Sequence, residues 1–135
     1  MECGLGKEEM RERTFGGEWA AVFRPYGVVL AYLFGSQAKG TAGPLSDVDI
    51  AVLFGPEVPL QEYTYRQAHL IADLVGLLNC NEVDVVVLNW ASPLLKHNVL
   101  RYGQVLYDTG VRLAFEIEAQ REALFSALGL KEGNQ

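Results

Sequence analysis

Basic residues are scarce in this chain. Lys and Arg number 11 against 17 Asp and Glu, a formal net charge of −6 over 135 residues. Grip on nucleic acid without regard to sequence depends on Lys and Arg displacing counterions from phosphates, so this balance argues against general nucleic-acid binding. Cysteine is nearly absent. Cys3 and Cys80 are too few and too isolated for a disulfide framework or a Cys-x-x-Cys metal site, and free thiols are the expectation. The two histidines, His69 and His97, have no ligand-spaced partner near them and are expected to pack or sit at the surface. No run approaches the roughly 18 apolar residues of a membrane span. The opening "MECGLGKEEMRERTF" is charged where a signal peptide would be apolar, so the chain reads as cytoplasmic. Internal repeats, low-complexity tracts and long linkers are also missing.

What remains has an ordinary globular composition, half of it hydrophobic and about a fifth charged. The length fits a single domain spanning residues 1–135, with a core at about 28–108 and helices at both ends. A helix is expected from about Glu8 to Arg24, weakened by Gly16 and Gly17 and stopped by Pro25 and Gly27. "VVLAYLF", Val28 to Phe34, reads as a buried strand, and "DVDIAVLF" as a second. Apolar Leu70, Ile71, Leu74, Val75 and Leu78 recur at helical spacing between Leu60 and Leu78, with an end near Asn79. "EVDVVVLN", Glu82 to Asn89, is almost wholly apolar, which predicts a central strand covered on both faces. Ser92 and Pro93 supply an N-cap and first-turn proline for a helix to about Tyr102; "QVLYD" reads as a short strand, and a last helix runs from about Val111 to Leu128. This alternation predicts an α/β fold, a small mixed β-sheet flanked by helices. The last helix carries Leu113, Ile117, Leu124 and Leu128 on one stripe. Such a stripe ordinarily covers the domain's own sheet, although in so small a domain it can instead meet a partner.

Three acids interrupt the apolar strands. Period-two alternation puts Asp47 and Asp49 on one face of the second strand, and Asp84 lies alone in the third. Two carboxylates about 4 Å apart repel by roughly 4 kcal/mol at an effective dielectric near 20, so something must offset the charge. Hard oxygen ligands of this kind suit Mg²⁺, which binds substrate phosphates alongside one or two protein carboxylates. Two such ions can clamp the attacking and leaving oxygens of an in-line displacement at phosphorus. Between the first two strands, Gly35-Ser36 permits close backbone approach and offers a hydroxyl to phosphate, and Lys39 can help neutralise it. Rival motifs fail: "GSQAKGT" has Thr41 where a P-loop needs lysine, Ala51 stands where an EF-hand needs an oxygen ligand, and the glycines spell no dinucleotide fingerprint. The bland alternative is that Ser46 and Asp47 cap a turn while Asp49 pairs with a lysine.

Taken together, Gly35, Ser36, Ala38, Gly40, Ser46, Asp47 and Asp49 match Gly-Ser-x-Ala-x-Gly, five residues, then Ser-Asp-x-Asp. That pattern resembles the minimal nucleotidyltransferases of the DNA polymerase beta superfamily. "VDVVVLNWASPLLKHNVLRYGQVLYD", Val83 to Asp108, looks like the closing segment of the short members that act as MNT-type antitoxins beside HEPN-domain toxins. The resemblance covers about Val28 to Asp108. It departs at Gln37, where relatives often carry Arg, and at Val87, which replaces a common acid; neither change removes a metal ligand. The resemblance implies a polymerase-beta-like fold in which Gly35 and Ser36, with Lys39 and Ser46, bind a nucleoside triphosphate, expected to be ATP. It further implies that Asp47 and Asp49 bind two Mg²⁺ ions, and that Asp84 holds the catalytic metal and helps activate the attacking hydroxyl. The implied reaction moves AMP to a tyrosine of a HEPN-type toxin encoded nearby. The alternatives are a small-molecule nucleotidyltransferase of the antibiotic-modifying kind, or a module that neutralises its toxin by masking alone.

Overall fold

The computed structural model describes residues 17–35, 48–80 and 82–129. Its elements run α1 (Glu18–Phe23), β1 (Val28–Phe34), β2 (Val48–Phe54), α2 (Tyr63–Leu78), β3 (Val83–Val87), α3 (Pro93–Tyr102), β4 (Gln104–Asp108) and α4 (Arg112–Ala127). The four strands form one mixed sheet in the order β3-β2-β1-β4, antiparallel except for the parallel β2–β3 pair. Parallel neighbours need a crossover, and α2 provides it.

Each face of the sheet has its own apolar cluster. Val28, Ala31, Ile50, Val52, Val83, Val85 and Val87 point toward α1 and α2, where they meet Trp19, Phe23, Leu70, Leu74 and Leu78. The opposite residues of the same strands, Leu30, Tyr32, Phe34 and Ala51, gather with Leu88, Val99 and Leu95 beneath α3 and with Phe115 of α4. This is the period-two alternation of a sheet covered on both sides.

Local chemistry ends these elements where the residue types allow it. Asn79 takes a left-handed conformation (φ 56°) and closes α2. The Ser92 hydroxyl accepts a hydrogen bond from the Leu95 amide at 3.2 Å and caps α3. Asp108 Oδ1 accepts from the amides of Gly110, Val111 and Arg112 at 2.8–3.2 Å and so organises the start of α4. Gly103 is required by proximity: a Cβ there would lie 2.5 Å from the Val99 carbonyl oxygen and 3.2 Å from that of Leu33. Only glycine lets the chain pass from α3 into β4 against β1.

Three expectations are corrected. β3 is an edge strand, not a central one; α2 covers one face while Asp84 and Val86 on the other remain half-buried, so its apolar run reflects one covered face. Cys80 is buried and disulfide-bonded in place of a free thiol, and Cys3 lies outside the described residues. The stripe on α4 does not cover the sheet: Leu113, Ile117, Leu124 and Leu128 are 72, 58, 58 and 63% exposed. The inward side of that helix is Phe115 and Ala119 instead. The expected first helix is described only over Glu18–Phe23, its earlier residues lying outside the described range. No helix among the described residues is long and apolar enough to cross a membrane.

Candidate active site

β2 is the strand that buries a carboxylate. Its neighbours β1 and β3 enclose it, and Asp49 is 4% exposed, the one buried charged residue among those described. In the parallel register Asp49 pairs with Asp84 of β3, and in the antiparallel register it pairs with Phe34 of β1. Paired residues share a face, so Asp49 and Asp84 project to the same side, that of α3 and α4. Adjacent strands lie about 4.8 Å apart, a separation at which two carboxylates repel by roughly 3 kcal/mol at an effective dielectric near 20. Asp49 Oδ1 is buried and accepts no hydrogen bond, while the residue makes other interactions. Two hard oxygen donors of like charge in register form the donor set a divalent cation prefers.

Gly35 follows Phe34 directly, at the end of β1 that flanks Asp49. It is exposed, and a Cβ built on it would meet nothing within 4 Å among the described residues. Among the described residues, then, no packing contact demands this glycine. Of the sequence-predicted residues, the structure brings together Gly35, Asp49 and Asp84. Ser36, Lys39, Ser46 and Asp47 lie outside the described residues.

Sequence reading missed a polar cluster on the same face. The Tyr32 hydroxyl donates to Glu116 Oε2 at 2.8 Å, and Arg112 Nε donates to the same oxygen at 2.9 Å. Burial, then the carboxylate of Glu116, holds the Tyr32 phenol well above its ordinary range. These three residues, with Gly103 and Gln104, line a cavity of about 310 Å³ between β4 and the α3–α4 pair. A tyrosine inside an otherwise wholly apolar strand was the available signal, since a buried hydroxyl needs a partner. On the other face the Tyr26 hydroxyl donates to Asp73 Oδ2 at 2.5 Å, which pushes its pKa up to about 12.

Comparison with known proteins bears on this arrangement. Residues 20–110 match the family model described as polymerase beta, nucleotidyltransferase. A protein adenylyltransferase, MntA, of Aphanizomenon flos-aquae is 39% identical over 92 residues, which are 62% of this chain and 59% of that protein. The chain thus matches somewhat over half the length of that curated relative. A crystal structure of a toxin–antitoxin with AMP-PNP is similar with a TM-score of 0.50 and 26% identity, over 87% of this chain and 97% of that one. A mutant of the MntA–HpeT toxin–antitoxin gives a TM-score of 0.51 and 25% identity, over 83% and 96%. The family match spans all four strands and both acids, so the chain belongs to the polymerase beta nucleotidyltransferase family.

Proposed function

We propose that the chain is a metal-dependent protein adenylyltransferase that moves AMP from ATP to a tyrosine of a HEPN-type toxin and thereby acts as its antitoxin in the cytoplasm. The observation that carries this reading is the in-register Asp49–Asp84 pair beside the end of β1 where Gly35 follows. The named activity of the MntA relative and the toxin–antitoxin neighbours, one with AMP-PNP, support the donor, the reaction class and the kind of acceptor.

In this reading Gly35 and Ser36 hold the triphosphate, with Lys39 and Ser46 in support. Asp47, Asp49 and Asp84 would hold two Mg²⁺ ions, whose charge neutralises the triphosphate and favours displacement at phosphorus. Asp49 is fixed by its central strand and therefore orients the donor with little loss on binding. Asp84, half-buried on the edge strand, faces the side from which an acceptor arrives and helps take the phenolic proton. The phenolate oxygen then bonds to the α-phosphorus as the bond to the β-phosphate breaks, and pyrophosphate leaves.

Incubation with ATP, Mg²⁺ and the product of the neighbouring gene is expected to add one or more multiples of AMP mass to that partner, on tyrosine, and to lower its toxicity. An unmodified partner that an Asp84→Asn variant neutralises equally well would make masking the mechanism and overturn the proposal.

A further inference from the structure

The exposed stripe of α4 is symmetric about its own middle. Leu113 and Leu128 lie equally far from the midpoint between Gln120 and Arg121, and so do Ile117 and Leu124. At 100° per residue the four side chains fall within an arc of about 60° and run for about 22 Å along the helix. Ala119, the buried residue of α4, lies on the opposite side, so the stripe faces away from the sheet and the acids. Polar Gln120 and Arg121 occupy its centre, and exposed Ala114 and Ala127, one on each flank, keep the margins low.

We propose that this stripe is the interface of a homodimer in which two copies of α4 pack antiparallel across a twofold axis at the Gln120–Arg121 midpoint. A closed twofold contact requires a patch complementary to itself, and this one is. The axis sets Leu113 against Leu128 and Ile117 against Leu124 of the second copy at both ends. The axis sets Arg121 level with Gln120 of the second copy and brings the two Arg121 side chains onto one flank, where Glu118, 3.5 Å from Arg121 within each chain, offsets their charge. Eight aliphatic side chains with their neighbours withdraw on the order of 1,000 Å² or slightly more, the lower end of the range for specific interfaces, so a reversible dimer is expected.

Sedimentation of the full chain over a concentration series tests this. The native chain is expected to shift from monomer to dimer, and Ile117→Arg or Leu124→Arg to weaken the association at least tenfold while leaving thermal stability unchanged, since both residues are exposed. A Gln120→Cys variant is expected to form an interchain disulfide, whereas Thr64→Cys, exposed on α2, is not. A native chain that remains monomeric at every concentration, or a dimer indifferent to both arginine substitutions, overturns the proposal. So does a monomer in which the same substitutions weaken binding to a helical partner protein, because the stripe then serves that partner and not a second copy.

Discussion

Asp49 illustrates what a single residue reveals and conceals. Its membership of an acid pair was legible, because alternation along "DVDIAVLF" fixes which side it faces; its burial on a central strand was not, because that depends on which strands flank it. Gly35 was read as a phosphate-binding glycine, and among the described residues no packing contact requires it. Gly35→Val is therefore expected to fold normally yet lose ATP affinity, as read by thermal melting and nucleotide titration. Tyr26 gives a prediction in pH. Its phenol donates to Asp73, and its pKa rises from 10.0 to about 12, so the folded state favours the protonated form. That contribution is fully present below pH 10 and is lost as pH rises toward 12. Phenolate absorbance is expected to show a late-titrating component above pH 10 that Tyr26→Phe diminishes.

Elements were readable where punctuation is local. The strand at Val28–Phe34, the Ser92–Pro93 start of α3, the Asn79 end of α2 and the short strand at Gln104–Asp108 stand where spacing and caps put them. Layer assignments were less readable: an apolar strand such as β3 looks central whether one or both faces are covered, and α4 shows one stripe in sequence while burying another side. Two substitutions test the element-level account. Ser92→Ala removes the cap of α3 and is expected to cost about 1 kcal/mol in chemical denaturation. Gly103→Ala drives a Cβ into the Val99 and Leu33 carbonyl oxygens, and is expected to destabilise by about 1–3 kcal/mol, more than the exposed Gly76→Ala, whose Cβ meets nothing.

The whole molecule divides labour between the two faces of one sheet. α1 and α2 close one face with the larger apolar cluster, while the other face carries Asp49, Asp84, the Tyr32–Glu116–Arg112 cluster and the α3–α4 pair. The mixed α/β architecture and the family were legible because a glycine loop between two strands and three acids on apolar strands form a combination that folding alone does not require. The polar cluster was not, because Tyr32 and Glu116 are 84 residues apart and only the packing of α4 joins them.

The central claim is that the carboxylates on β2 and β3 form one site for metal and nucleotide. Calorimetric titration of ATP with Mg²⁺ into the native chain, Asp49→Asn and Asp84→Asn tests it most directly, because asparagine keeps the shape and removes the charge. The account predicts binding by the native chain that depends on Mg²⁺ and weakens in both folded variants, with transfer falling at least about 100-fold. Equal affinity for ATP and Mg²⁺ in all three proteins would contradict it.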